Sequence, residues 1–188
     1  MPERLEIHPL TPERWKDFTA LFGPRGACAG CWCMFPRLPR PEWKRGQGAG
    51  NRRAMQRLVR GGTVPGLIAY RSGEPVGWVA ASPREDMANL RRSRLFPATG
   101  EAGVWSIACF FVARVHRGRG LTVALIRAAT RWAREHGARV VEGYPVEPTA
   151  ETMPAVFAWA GVGSAFRRAG FRTVARPSRG RSLVRHRA

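Results

Sequence analysis

The sequence predicts a single mixed α/β domain, and three observations carry that prediction. Val104 to Ala113 (VWSIACFFVA) is a nearly continuous apolar run, the pattern of a central strand buried on both faces. It leads through a glycine-rich turn, His116-Arg117-Gly118-Arg119-Gly120, into Leu121 to His136, where Leu121, Leu125, Ala128, Ala129 and Trp132 recur at helical spacing. A further strand pattern follows from Arg139 to Pro145 after Gly137 ends the helix. Strand, turn, helix and strand make a βαβ crossover, whose natural outcome is a parallel pair. A length of 188 residues suits one domain and one core.

The remaining elements follow in chain order. Arg4 to Pro9 alternates apolar Leu5 and Ile7 with polar neighbours, as a short strand does. Thr11-Pro12-Glu13 supplies an N-cap, a proline at the first helical position and a first-turn acid, so a helix is expected from there to about Gly23. Residues 23–50 are rich in Gly, Pro, Arg, Cys and Trp, too irregular for one long element and long enough for a functional loop or lid. Asn51 is expected to cap a second helix carrying Met55, Leu58 and Val59 on one face and stopped by Gly61-Gly62. Gly66 to Arg71 and Pro75 to Ala81 read as two strands of a hairpin turning at Ser72-Gly73. Residues 82–103 form a polar connection with a short helix near Asp86 to Arg92. Beyond the crossover, a helix is expected over about Pro154 to Ala169, then a Gly170-Phe171 stop and two short strands, Phe171 to Ala175 and Ser182 to Arg185.

Composition bounds the function. Hydrophobic residues make up 44% and charged residues 24% of the chain, which excludes collagen-like, mucin-like and wholly disordered classes. No apolar run approaches the roughly 18 residues of a membrane span, and Glu3 and Glu6 interrupt any secretion signal, so a soluble cytoplasmic protein is expected. The 32 Lys and Arg against 13 Asp and Glu give a net charge of +19, and only Lys16 and Lys44 are lysines. Such a field draws in phosphates, nucleic acid and acidic surfaces; a genomic or thermal preference for Arg would leave the same mark. Of the four cysteines, Cys28, Cys31 and Cys33 cluster in the irregular segment and Cys109 lies in the central strand. Zinc sites show two paired ligand groups and the second pair is missing, so no metal is expected; packing over the substrate side is the reading for Cys31-Trp32-Cys33.

The turn before Leu121 carries the chemistry. Glycines let a backbone approach a ligand closely, and the exposed N–H groups of a helix first turn bind phosphate. The spacing is that of neither a Walker loop nor a dinucleotide fingerprint, since Lys-Ser/Thr is absent and Val123 stands where another glycine would be needed. Arg117-Gly118-Arg119-Gly120-Leu121-Thr122 resembles instead the acyl-CoA loop of the GNAT superfamily of N-acyltransferases, Gln/Arg-x-x-Gly-x-Gly/Ala. Arg117 and Gly120 match, and Thr122 stands at the closing Gly/Ala position. The order of elements over nearly the whole chain is also similar to that family.

The resemblance implies a GNAT-like central mixed sheet flanked by helices. It implies acetyl-CoA as acyl donor, bound by the backbone of Phe110, Phe111 and Val112 beside the pantetheine arm and by Arg117, Gly118, Arg119, Gly120, Leu121 and Thr122 at the phosphates. The implied reaction is transfer of an acetyl group to a primary amine, of a small molecule or a protein, by direct attack. The family's tyrosine four residues before Gly-Phe is Phe166 here, which cannot donate a proton. Only Tyr70 and Tyr144 are tyrosines; Tyr144 ends the strand after the loop helix with Glu142 on the same face, so Glu142 is the candidate base and Tyr144 the candidate acid. A salt-bridge role for Glu142 among so many arginines is the competing reading. Two other classes remain: a CoA-binding sensor of this fold without transfer, and a basic RNA-associated module, with the nucleic-acid role not favoured because the tryptophans sit in expected core elements. The final strands could pair between chains, leaving monomer and homodimer both open.

Overall fold

The computed structural model describes residues 4–147 and 159–187. The first strand, β1 (Leu5–Pro9), is followed by a 3-10 turn at Pro12–Arg14 and helix α1 (Trp15–Phe22), which Gly23 ends at φ 67°. The irregular segment holds one short helix, α2 (Arg40–Arg45), before α3 (Ala49–Arg60). Here one expectation is corrected: Gly48, at φ 81°, occupies the N-cap, and Asn51 lies inside α3. Asn51 is fully buried and its amide donates to the carbonyls of Gly30 and Trp43, both at 3.2 Å. The tertiary bonds to the loop outweigh the residue's local capping preference.

The hairpin of β2 (Gly66–Arg71) and β3 (Glu74–Pro83) turns at Ser72 and Gly73, both at positive φ (50° and 81°), as a two-residue turn matched to strand twist requires. A single turn of helix, α4 (Ala88–Arg91), precedes the central strand β4 (Val104–Val112). Helix α5 (Leu121–Glu135) and strand β5 (Val140–Gly143) complete the crossover, and β4 and β5 pair in parallel as expected. Residues 154–158 of the expected late helix lie outside the described residues; the helix that is described, α6, spans Gly163–Arg168. The last two strands, β6 (Arg172–Ser178) and β7 (Arg181–Arg187), are longer than predicted and turn at Gly180.

The seven strands form one sheet in the order β1-β2-β3-β4-β5-β7-β6, every neighbouring pair antiparallel except β4 with β5. Two cores result. On one face α5 and α6 bury Leu125, Ile126 and Phe166 against Ile107, Phe110 and Val141. On the other, α1, α3 and the 23–48 loop bury Phe18, Phe22, Trp32, Met34 and Met55 against Trp78, Ala80 and Cys109. No described helix is long and apolar enough to cross a membrane.

Candidate acyl-CoA site

The site begins where two strands part. β4 and β5 pair from Val104↔Val140 to Ile107↔Gly143, and there the pairing stops, while β4 continues to Val112 with strand partners, among the described residues, only on β3. On that β3 side Ala81 pairs with Ile107 and Ala80 with Cys109, so Ala108 is an extra residue, a bulge that bends β4 away at the same point. Among the described residues, the backbone edge of 108–112 therefore faces a gap instead of a strand. Phe166, wholly buried, fills the apex of that wedge. A Cβ on Gly143 would fall on its ring edge, so glycine at the end of β5 is what admits the ring.

At the far end of β4 the chain turns through Arg114–His116 into α5, with Gly118 at φ 73° and Gly120 at φ 76°. Gly120 caps α5 without a side-chain bond; its carbonyl takes the N–H groups of Val123 and Ala124, and among the described backbone bonds those of Leu121 and Thr122 take no partner. Two donors and the positive end of a fifteen-residue helix thus point at the loop. Arg117 holds the turn in place, its Nε donating to the carbonyl of Val112 at 3.0 Å.

One cleft of about 670 Å³ joins these parts. Phe110, Phe111 and Val112 of β4 line it together with Arg117 and Thr122 of the turn, and the 23–48 loop contributes Cys28, Cys31, Cys33, Phe35 and Trp43. Cys109, Trp159, Gly161 and Val162 complete the described lining with Phe22 and two alanines of the loop. Of the residues singled out in the sequence, Gly118, Arg119, Gly120 and Leu121 do not line it. The Leu121 side chain is core, 3% exposed, although its N–H belongs to the open first turn. Trp32 is a correction: it is buried behind Phe22, on which it stacks (5.7 Å between ring centres, 16° between planes), and does not itself line the cleft.

Glu142 and Tyr144 also stand elsewhere. They share a face as alternation predicts, and the Tyr144 hydroxyl donates to Glu142 Oε2 at 2.8 Å, but neither lines the cleft. Glu142 is 2% exposed, and its two oxygens receive Arg84 Nη1 at 2.5 Å and Arg185 through Nη2 at 2.6 Å and Nε at 2.9 Å. Ser106 Oγ lies 2.7 Å from the Tyr144 hydroxyl, and Arg84 also donates to the Phe96 carbonyl. Burial, then the Glu142 charge, pushes the Tyr144 phenol far above its ordinary value. With both carboxylate oxygens taken up by guanidinium donors and neither residue in the cleft, the geometry favours the ion-pair reading over the acid–base pair. Arg84 and Arg185 escaped sequence reasoning because they meet Glu142 from 58 and 43 residues away, as Ser106 meets Tyr144 from 38, with no local pattern to mark them.

The sequence matches the model of the acetyltransferase (GNAT) family over residues 32–153, about two thirds of the chain. The chain belongs to the GNAT acetyltransferase family. Solved structures agree on the fold. The GNAT domain of S. lividans PAT is 19% identical with a TM-score of 0.53, covering 98% of this chain and 90% of its own. The ribosomal-protein-alanine N-acetyltransferase of Brucella melitensis is 18% identical (TM-score 0.54; 97% and 99% covered). A GNAT family N-acetyltransferase of Escherichia coli, solved in complex with CoA, is 18% identical (TM-score 0.52; 100% and 83% covered). No curated protein matches the chain by sequence. Membership supports acyl-CoA-dependent acetyl transfer in general.

Proposed function

We propose that the protein transfers the acetyl group of acetyl-CoA to a primary amine, of a small molecule or a protein, by direct attack. The observation that carries this reading is the parting of β4 from β5 in front of an unpartnered helix first turn. The pyrophosphate is assigned to the N–H groups of Leu121 and Thr122 with Arg117 and Arg119 as local counter-charge, and Gly118 and Gly120 keep that approach free of side chains. The pantetheine arm is assigned to the free edge of Phe110, Phe111 and Val112, as a strand added to a sheet. The thioester then reaches the bulge at Ala108, beside Cys109. There the amine nitrogen forms the new C–N bond to the acetyl carbon, the C–S bond breaks, and the thiolate takes up a proton. With Glu142 and Tyr144 committed to the buried network, the amine's own proton passes to water in the cleft, and Cys31 and Cys33 shape the acceptor side as sulfur walls.

Phe166 favours one second reading, a CoA-binding protein of this fold without transfer, since a buried phenylalanine stands where the family's tyrosine would. Release of free CoA thiol with a panel of amines separates the two. Thr122→Glu tests the site itself. An acid in the first turn favours the α5 dipole, so the fold should hold its melting temperature, while the new charge repels a diphosphate. Acetyl-CoA affinity measured by calorimetry should fall at least about tenfold, or 1.4 kcal/mol. Unchanged affinity in the folded variant would remove the loop assignment.

A further inference from the structure

All four cysteines line the one cleft, yet only two of their sulfurs meet. Cys33 Sγ and Cys109 Sγ lie 2.9 Å apart although 76 positions separate them in sequence, and both residues are buried, at 2% and 8% exposure. The loop is built to press one on the other. Trp32 and Cys33 both hold left-handed backbone, φ 46° and 55°, a conformation that side-chain-bearing residues rarely adopt. The stacking of Trp32 on Phe22 and the bond from the Met34 N–H to the Cys31 carbonyl at 2.9 Å hold the loop in that turn. From below, the Trp78 indole donates to Cys33 Sγ at 3.1 Å and fixes that sulfur against the sheet. On the other partner, contact with Cys33, burial and the nearby thiols push the Cys109 thiol well above its ordinary value, so it keeps its proton.

We propose that Cys33 and Cys109 form a reversible oxidation site: a peroxide converts the pair to a disulfide that fastens the 23–48 loop to the central strand, and a dithiol reductant reopens it. The steps balance. The Cys33 sulfur attacks one peroxide oxygen, the O–O bond breaks, and a sulfenic acid and one water result. The Cys109 sulfur then attacks the sulfenic sulfur, the S–S bond forms, and hydroxyl leaves with the thiol proton as a second water. Two electrons pass from the thiol pair to hydrogen peroxide. Closing from 2.9 Å to a bond of about 2.05 Å asks the sulfurs to move by only about 0.9 Å. Cys28 and Cys31 are nearby thiols of the same cleft that make no hydrogen bond to either sulfur among the described contacts, and they serve as internal controls.

The experiment treats the full-length protein with stoichiometric hydrogen peroxide at neutral pH, blocks free thiols with iodoacetamide under denaturing conditions, and maps peptides by mass spectrometry without reduction. The expected result is one cross-linked pair, Cys33 with Cys109, lighter by two hydrogens, reversed by dithiothreitol, with Cys28 and Cys31 recovered alkylated. Limited trypsin cleavage at exposed Arg25 should be several-fold slower in the oxidised protein, which reads the clamp without reference to coenzyme A. Prior oxidation of Cys28 or Cys31, a different cross-link, or Cys33 and Cys109 both recovered alkylated would each overturn the proposal. So would equal trypsin rates in the two forms. In Cys109→Ser, Cys33 should advance to sulfinic acid; a cross-link to Cys31 formed as fast as the wild-type one would show that Cys109 is not the resolving thiol.

Discussion

Two clusters of reactive side chains lie beside the central strand, and they are built in opposite ways. Around Glu142 the polar groups are closed on one another: four donors occupy the two carboxylate oxygens, Tyr144 and Ser106 complete the ring, and Arg185 reaches on to Glu101 and Thr99. Around Cys33 the side chains are sulfur and aromatic, the backbone is held in left-handed turns, and the cluster borders a cleft. The first has its bonding capacity spent on holding β5 and β7 together with the segment that carries Arg84. The second keeps groups free to meet a ligand. Residue type alone points to the first as catalytic; the state of its partners points to the second as the region where function sits.

The largest test of this contrast is Glu142→Ala. Removing the carboxylate leaves Arg84, 7% exposed, and Arg185 without their buried counter-charge, and breaking such a pair costs about 3–5 kcal/mol. Urea unfolding should show the loss, while acetyl-CoA affinity per folded molecule stays near that of the unaltered protein. Turnover lost with stability intact would reverse the comparison and restore Glu142 as a base.

On the other side of the strand the matching test is Asn51→Ala. Its amide ties α3 to Gly30 and Trp43, one residue bracing both ends of the loop. The Trp43 carbonyl would lose this donor while that of Gly30 keeps the Gly48 N–H, at a cost of about 1–3 kcal/mol. Because the loop lines the cleft, here ligand affinity should fall together with stability. A loss of stability alone would mean that the loop keeps its position without this brace.

The fold was legible in the sequence wherever local pattern and tertiary role coincide. The apolar run of β4, the helical spacing of α5 and the positive-φ turn at Ser72-Gly73 each announce themselves within a dozen residues. The glycine turn before α5 stands out for the same reason. What the sequence hid is set by contacts across the chain. Asn51 looked like a cap because capping is local, whereas its bonds run to residues 21 and 8 positions away. Trp32 and Cys33 are neighbours in sequence, yet the left-handed backbone at both sends one ring into the core and one sulfur to the cleft, a division that strand or helix periodicity cannot forecast.

The smallest effect tests how dry the open-looking cluster is. Burial, reinforced by the neighbouring Cys33 sulfur and opposed in part by the Phe35 backbone, pushes the Cys31 thiol up from 9.0 to about 11. The thiolate is the nucleophile, so alkylation of Cys31 should rise about tenfold per pH unit and level off only near that value. The linkage has the same sign: the folded loop favours the protonated thiol, its contribution is full below pH 9.0, and it is lost as pH climbs through about 11. Exposed Cys28, three positions away, is the reference in the same digest. A Cys31 profile that levels off near 9.0 would mean that water reaches the sulfur freely. The loop would then stand open over the cleft, and the contrast between a closed polar cluster and a poised sulfur cluster would reduce to the Cys33–Cys109 contact alone.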